Sequence, residues 1–262
     1  MTKIYVMALG CRLNQSEMLV LGRRLAAAGC LLVDKPEEAD VVVLNTCAVT
    51  QEAVRKSRQA LRRLRNENPG ACVVATGCYA ELDESLGGVA VSVDVVLGNE
   101  EKQALLARPG DFLPINGASA AGRHTGRERT RALVRIQEGC DNRCTYCIIP
   151  KLRGRYRSRR FEDILDEARL LAQNGIKELN VIAQDTTRYG KDLYGELRIS
   201  ALLKELAKIE GIRWIRLLYS YPDEFNEELI DTIASEEKIC KYLDIPIQHA
   251  SNAILKKMGR RS

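Results

Sequence analysis

Cys140, Cys144 and Cys147 stand in the segment Glu138-Gly139-Cys140-Asp-Asn-Arg-Cys144-Thr-Tyr146-Cys147, directly after a strand-like run. The C-x3-C-x2-C spacing puts three thiolates on one short loop. Three thiolates can hold three irons of a 4Fe–4S cluster, which normally takes four cysteines. The iron left open can chelate the amino and carboxylate groups of S-adenosylmethionine (SAM) and bring its sulfonium to the cluster. Zinc is the rival ligand, but a structural zinc site needs a fourth Cys or His at compatible spacing. The two histidines, His124 and His249, lie in a linker-like stretch and a hundred residues onward. Tyr146, just before the last cysteine, supplies a ring that can pack on an adenine.

Cys11, Cys47 and Cys78 form a second triplet that no short spacing rule would find. Each directly follows a strand-like run, in Ala-Leu-Gly10-Cys11, Leu-Asn45-Thr46-Cys47 and Ala-Thr-Gly77-Cys78. In a parallel sheet the strand C-termini share one edge, where ligands bind in open α/β folds. Three cysteines at neighbouring strand ends can therefore converge on one site, and Gly10 and Gly77 allow the backbone to approach a bulky inorganic group. The plain alternative is three unrelated buried thiols. Cys30, Cys72 and Cys240 sit in apolar segments and are expected to be buried and inert.

The elements that must position these groups follow from the pattern of apolar residues. Strands are expected at Lys3–Leu9, Val41–Thr46, Cys72–Gly77 and Val93–Gly98, with helices at Asn14–Ala28, Gln51–Asn66 and Ala80–Leu86. This alternation implies a parallel, helix-covered sheet over residues 1–107. Residues 108–131 lack periodicity and read as a linker. From Ala132 a second series begins, with strands at Ala132–Gln137, Glu178–Ala183, Ile212–Leu218 and Lys241–Ile245. Helices at Phe161–Asn174, Ser200–Ile209 and Glu224–Ser235 separate them. Four βα units make part of a (β/α) barrel over 132–262. The sequence stops at Lys256-Lys257-Met258-Gly259-Arg260-Arg261-Ser262, within a helical pattern.

The loop with its surroundings, Arg135-Ile-Gln-Glu-Gly-Cys140 through Cys147-Ile-Ile-Pro150-Lys-Leu-Arg153-Gly154, resembles the methylthiotransferase branch of the radical-SAM superfamily. The resemblance runs over essentially the whole chain. It implies an N-terminal methylthiotransferase domain whose Cys11, Cys47 and Cys78 hold an auxiliary 4Fe–4S cluster, followed by a radical-SAM core. It further implies a two-stage reaction. One SAM methylates a sulfur carried on the auxiliary cluster; a second is cleaved reductively at the Cys140 cluster to a 5′-deoxyadenosyl radical, and the substrate carbon takes up the methylthio group. Sulfonium cleavage requires the reducing end of the range that protein-held clusters span, so a flavodoxin- or ferredoxin-type electron donor is implied as a partner. Family members continue through the rest of the barrel and a small C-terminal β-barrel, the TRAM domain. Neither is expected in these residues, which would leave an unpaired strand edge.

Contacts to SAM are expected from strand C-termini, where barrel active sites lie: Gln184 and Asp185 after the second strand, Ser220 after the third, Gln248 and His249 after the fourth. Structural polar roles are the alternative for each. In Lys151-Leu-Arg153-Gly-Arg155-Tyr-Arg157-Ser-Arg159-Arg160, arginines at alternate positions share one face if the segment is extended. Arg153 and Arg157 are then candidates for the SAM carboxylate or an anionic substrate, against a solvated surface. The arginines from Arg55 to Arg65 are expected to be the solvent face of a helix with Val54, Leu61 and Leu64 inward.

The two halves resemble different branches in their substrate motifs. Gln184-Asp185-Thr186-Thr187-Arg-Tyr189-Gly190, Leu218-Tyr219-Ser-Tyr221-Pro222 and Tyr242-Leu-Asp244-Ile-Pro246-Ile-Gln248-His249-Ala-Ser251 resemble the branch that modifies an aspartate β-carbon in ribosomal protein S-twelve. Gly10-Cys11-Arg-Leu-Asn14-Gln15, Asn45-Thr46-Cys47-Ala-Val-Thr50 and Lys56-Ser-Arg58-Gln59 resemble the transfer-RNA branch acting on a modified adenosine beside the anticodon. The barrel strand ends surround the reacting hydrogen, so the protein substrate is expected. A two-cluster electron-transfer protein is the non-enzymatic alternative, and fully four-cysteine sites would favour it.

Composition is consistent with this reading. Among 262 residues, 45% are hydrophobic and 29% charged, with a net charge of +5 that by itself implies no nucleic-acid partner. No apolar run approaches the roughly 20 residues that span a bilayer, and the N-terminus lacks the build of a signal peptide. A cytoplasmic protein with no membrane partner is expected, and there nine cysteines point to metal ligation before disulfides.

Overall fold

The computed structural model describes residues 1–82, 92–114 and 130–260. The chain divides into two compact units, Met1–Gly126 and Arg127–Ser262.

In the first unit β1 (Lys3–Ala8), β2 (Leu31–Leu32), β3 (Val41–Thr46), β4 (Cys72–Gly77) and β5 (Val95–Leu97) form one parallel sheet in the order β2-β1-β3-β4-β5. Central β3, Val-Val-Val-Leu-Asn-Thr, is buried at every position, as a parallel strand covered on both faces should be. Helix α1 (Arg12–Ala27) packs Met18, Leu21 and Leu25 with Ile4, Val41, Val43 and Val74. Val42 and Leu44 alternate to the opposite face, where α2 (Gln51–Glu67) lies against β3 and β4. Its Leu61 and Leu64 are fully buried, and most of its arginines point to solvent as expected. Thr50 caps it by accepting from Ala53 N at 3.1 Å. Two short helices complete the unit, α3 (Cys78–Leu82) and α4 (Asn99–Ala107). Residues 83–86 of the expected third helix, and 115–129 of the expected linker with His124, lie outside the described residues.

The second unit begins with β6 (Arg131–Arg135) and β7 (Gln137–Glu138), then α5 (Ile149–Arg153), β8 (Arg157–Ser158), α6 (Phe161–Gln173) and β9 (Glu178–Ile182). It continues with α7 (Lys191–Tyr194), α8 (Ile199–Ala207), β10 (Trp214–Leu217), α9 (Glu227–Ser235) and α10 (Asn252–Lys257). The parallel strands run β10-β9-β6, and β7 pairs antiparallel with β8. Their core joins Val134, Leu179 and Val181 to Ile164, Ala168, Leu202, Leu206 and Leu229 from the helices.

Three expectations need correction here. Lys241–Ile245 is not a strand; pairing beyond β10 is a single bridge, Ile215 to Ile239. A parallel strand must be covered on both faces, and Tyr242, Leu243 and Ile247 are instead exposed. Lys241 meanwhile turns back to donate to the Ile233 and Glu236 carbonyls at the end of α9, at 2.6 and 2.7 Å. The final helical pattern does not run on either: α10 ends at Lys257, and Gly259 at φ +69° provides its left-handed stop. Arg153, Arg155, Arg157 and Arg159 do not share a face, because Arg153 lies in α5 and Gly154 at φ +70° turns the chain before β8.

Candidate metal centres

The first triplet lies along the C-terminal edge of the first sheet. Register pairs Ala8 with Asn45 and Thr46 with Gly77, so the chain leaves β1, β3 and β4 at one level. Cys11 then begins the turn into α1, Cys47 follows β3, and Cys78 opens α3. Gly10, at φ +86°, lies so close to Cys47 that a Cβ there would stand 2.5 Å from its Sγ. Gly77, at φ +92°, is packed against Asn45 Oδ1, 2.1 Å from where a Cβ would be.

A hydrogen-bonded floor fixes these loops. Ser57 accepts from Cys47 N at 3.0 Å and donates to Cys47 O at 2.9 Å. Asn14 donates to Leu9 O and Thr46 O, at 2.8 and 2.9 Å, lacing the β1 and β3 exits together. Thr46 Oγ1 accepts from Tyr79 N and Ala80 N, at 3.2 and 3.3 Å, holding the start of α3. Below them Asn45 Nδ2 donates to Glu17 Oε2 at 2.8 Å, and Glu17 pairs with Lys102 at 2.9 Å with both side chains at most 1% exposed. Sequence reasoning missed this ion pair; a lysine inside an apolar helix face is its one local sign.

The second triplet lies on the loop between β7 and α5. Gly139, at φ +79°, brings the chain against residues 154–155, with a Cβ only 2.1 Å from Arg155 O. Cys140 N donates to Gly154 O at 3.2 Å, and Cys147 N to Cys144 O at 3.0 Å. All three thiols are half-buried. Burial pushes the Cys140 thiol up to about 11, and the nearby Asp185, Cys147 and Cys144 charges add to the rise. Burial also raises Cys147. Thiols held protonated this way release protons when metal binds.

The loop's geometry gives a direct test. Gly139→Ala forces a side chain into left-handed backbone, at about 1–3 kcal/mol, and into the Arg155 carbonyl. Loss of the iron held by this loop is expected, read as iron per chain after anaerobic reconstitution. Full iron retention in the folded variant would show that the close approach is not required.

The other candidate residues divide by environment. Asp185 is buried, accepting from Asn142 Nδ2 at 3.0 Å and Thr187 Oγ1 at 2.6 Å, and burial raises its carboxyl. Gln184 Nε2 donates to Glu138 Oε1 at 3.3 Å. Arg153 is 4% exposed, with its guanidinium on the same Glu138 oxygen at 2.7 Å. Arg135 completes the group, also bonded to Glu138. Glu138 is therefore the residue that sequence reasoning overlooked; a carboxylate flanked by Arg135 and Arg153 was its signal. Ser220 is buried, 3.4 Å from Thr186 Oγ1. Tyr146 is exposed on the cysteine loop, as is Arg157 on β8. Gln248 is exposed with φ +62°, and His249 accepts from Ser251 N at 2.9 Å. Of the remaining thiols Cys30 is buried, but Cys72, at the first position of β4, and Cys240, just past the bridge to Ile239, are only half-buried.

Both sites present three thiols from glycine-relieved loops, a donor set suited to iron–sulfur ligation. Among the described residues no three Cys, His, Asp or Glu side chains gather closely enough to hold a single metal ion.

Residues 3–98 match the uncharacterized protein family UPF0004, and residues 134–262 match the radical SAM superfamily. A protein of Clostridium tetani named "Ribosomal protein uS12 methylthiotransferase RimO" is 42% identical over an alignment covering 100% of this chain and 62% of that protein. The chain belongs to the radical-SAM methylthiotransferase family. Another family member of the same name, from Aquifex aeolicus, is 42% identical over 98% of the chain and 59% of its own length. The chain thus spans about three-fifths of the length of these relatives. Both alignments include the N-terminal motifs that resemble the transfer-RNA branch. Among solved structures, the radical SAM methyltransferase TsrM from Kitasatospora setae covers the whole chain with a TM-score of 0.66 at 17% identity, a likeness of fold. Among the described residues no helix is long and apolar enough to cross a membrane.

Proposed function

We propose that the chain is the catalytic portion of a SAM-dependent radical methylthiotransferase acting on the β-carbon of an aspartate in ribosomal protein uS12. The observation that carries the reading is the pair of three-thiol sites, each short of a fourth cysteine, in a chain whose relatives at 42% identity bear that name. In this reading residues 1–107 form the auxiliary-cluster domain and residues 132–262 the radical-SAM core. Cys140, Cys144 and Cys147 hold one 4Fe–4S cluster, and Cys11, Cys47 and Cys78 a second. When bound, the first of these supplies the electron that cleaves a SAM sulfonium, and the second an iron on which exogenous sulfur can rest.

The protein's own groups bind and orient. Asp185 and Gln184, at the C-terminal end of β9, stand beside the cysteine loop to receive polar groups of SAM. Glu138 holds Arg153 and Gln184 in register with that loop. Tyr146 offers its exposed ring to the adenine. Ser220, after β10, and Gln248, in the exposed segment before α10, are the further contacts proposed. A flavodoxin- or ferredoxin-type donor, working in the cytoplasm where thiols stay reduced, supplies the electrons.

The test is anaerobic reconstitution with iron and sulfide, followed by SAM, reductant and uS12. Mass spectrometry is expected to find the methylthio increment on a uS12 aspartate peptide. An increment on the adenosine beside a transfer-RNA anticodon, with uS12 unmodified, would hand the substrate to the other branch. Stoichiometric iron without any 5′-deoxyadenosine would favour electron transfer.

A further inference from the structure

The second cysteine loop is held by residues more than a hundred positions away. Thr145 donates its backbone N–H to Met258 O at 3.0 Å and its hydroxyl to Lys257 O at 3.2 Å. Gly259 approaches so closely that a Cβ would stand 2.5 Å from Arg143 O. The next residue, Arg260, is 6% exposed. Its Nη2 donates to Pro246 O at 2.7 Å, its Nη1 to Tyr146 Oη at 3.3 Å, and its guanidinium carbon lies 4.3 Å from the centroid of the Tyr221 ring. Its Nε is buried with no acceptor among the described residues.

Each of these partners is neutral, and among the described residues no carboxylate pairs with Arg260. Burying a cation without a counter-charge costs several kcal/mol even after relaxation. An arginine so placed is expected to face an anion. Its partner Tyr146 stands two residues after Cys144 on the cysteine loop, and the Cys144 thiol lies against the Tyr146 and Tyr221 hydroxyls.

We infer that Arg260 is the built-in counter-charge of the second cysteine site, a positioning residue that favours the reduced state of the iron–sulfur group held there. The inference rests on the proposed cluster assignment. Three thiolates make the site anionic, and reduction adds one more negative charge. A fixed positive charge in a low-dielectric surround favours that step. The Nε–H gives it a spare donor for the same anion.

The test uses the full chain with Cys11, Cys47 and Cys78 replaced by Ala, so that only one cluster is present. Potentiometric titration followed by electron paramagnetic resonance compares Arg260, R260K and R260M. At a fixed donor potential R260M is expected to lower the reduced-to-oxidised ratio about tenfold, or about 59 mV for a one-electron couple. R260K, which keeps the charge but loses the planar fork, is expected to stay near the parent. R260M failing to keep iron that R260K keeps also supports the counter-charge. Equal midpoints in all three proteins would overturn it, as would R260K failing alongside R260M, which would make Arg260 a mechanical clamp. Absence of iron from the parent would reject the cluster assignment, and the inference with it.

Discussion

Replacing Cys11, Cys47 and Cys78 together with alanine is expected to abolish methylthio transfer while leaving SAM cleavage in place. The three thiols sit at the exits of β1, β3 and β4 in a unit with its own sheet and core. The Cys140 loop belongs to the other unit, held by β7, β8 and contacts from residues 257–259. Removing a buried sulfur costs about as much as a buried methylene, roughly 1 kcal/mol each, so the variant should fold. Iron per chain should halve, 5′-deoxyadenosine should still form, and the methylthio product should vanish. The reciprocal variant, lacking Cys140, Cys144 and Cys147, should lose both products. Unchanged iron on removing the first triplet would sink the auxiliary site; loss of 5′-deoxyadenosine in that folded variant would sink the division of labour.

Lys102→Met is expected to be the most destabilising single substitution in the first unit. Lys102 Nζ stands 2.9 Å from Glu17 Oε2, and the two side chains are 0% and 1% exposed. Lys102 also donates to Asn99 Oδ1 at 2.6 Å, while Glu17 accepts from Asn45. Removing one partner of a buried pair leaves an uncompensated charge, at about 3–5 kcal/mol. Replacing both, as in Glu17→Gln with Lys102→Met, should recover much of that loss, because the desolvation of two charges disappears with them. Urea unfolding of the two variants measures the difference. The pair ties α1, α4 and β3 together directly beneath the first cysteines, so the single variant should also weaken iron retention at that site. A single substitution costing under about 1 kcal/mol would mean that solvent reaches the pair.

The sequence by itself determined the elements whose pattern and burial agree. The β-branched runs give β3 at Val41–Thr46 and β4 at Cys72–Gly77 with the boundaries found in the structure. The placement of both cysteine triplets was also legible, one on a single loop from its spacing and the other at successive strand ends. Helix α4 was not, because a lysine occupies one of its core positions and breaks the apolar period; its ion-pair partner Glu17, 85 residues earlier, makes that burial tolerable.

What only the tertiary structure decided depends on partners distant in sequence. Strand order and register bring Cys11, Cys47 and Cys78 to one edge, since local pattern fixes which residues form strands but not which strands pair. Lys241–Ile245 has strand composition yet forms none, because no neighbour covers its outer face. Arg153 sits in an alternating basic run that suggests an exposed edge, and Glu138 instead buries it. Arg260 reads as one charge in a basic tail until the fold places it, with no carboxylate partner among the described residues, against the loop of Cys144. Charge in a sequence is local, whereas the burial that gives it a purpose is set by the whole fold.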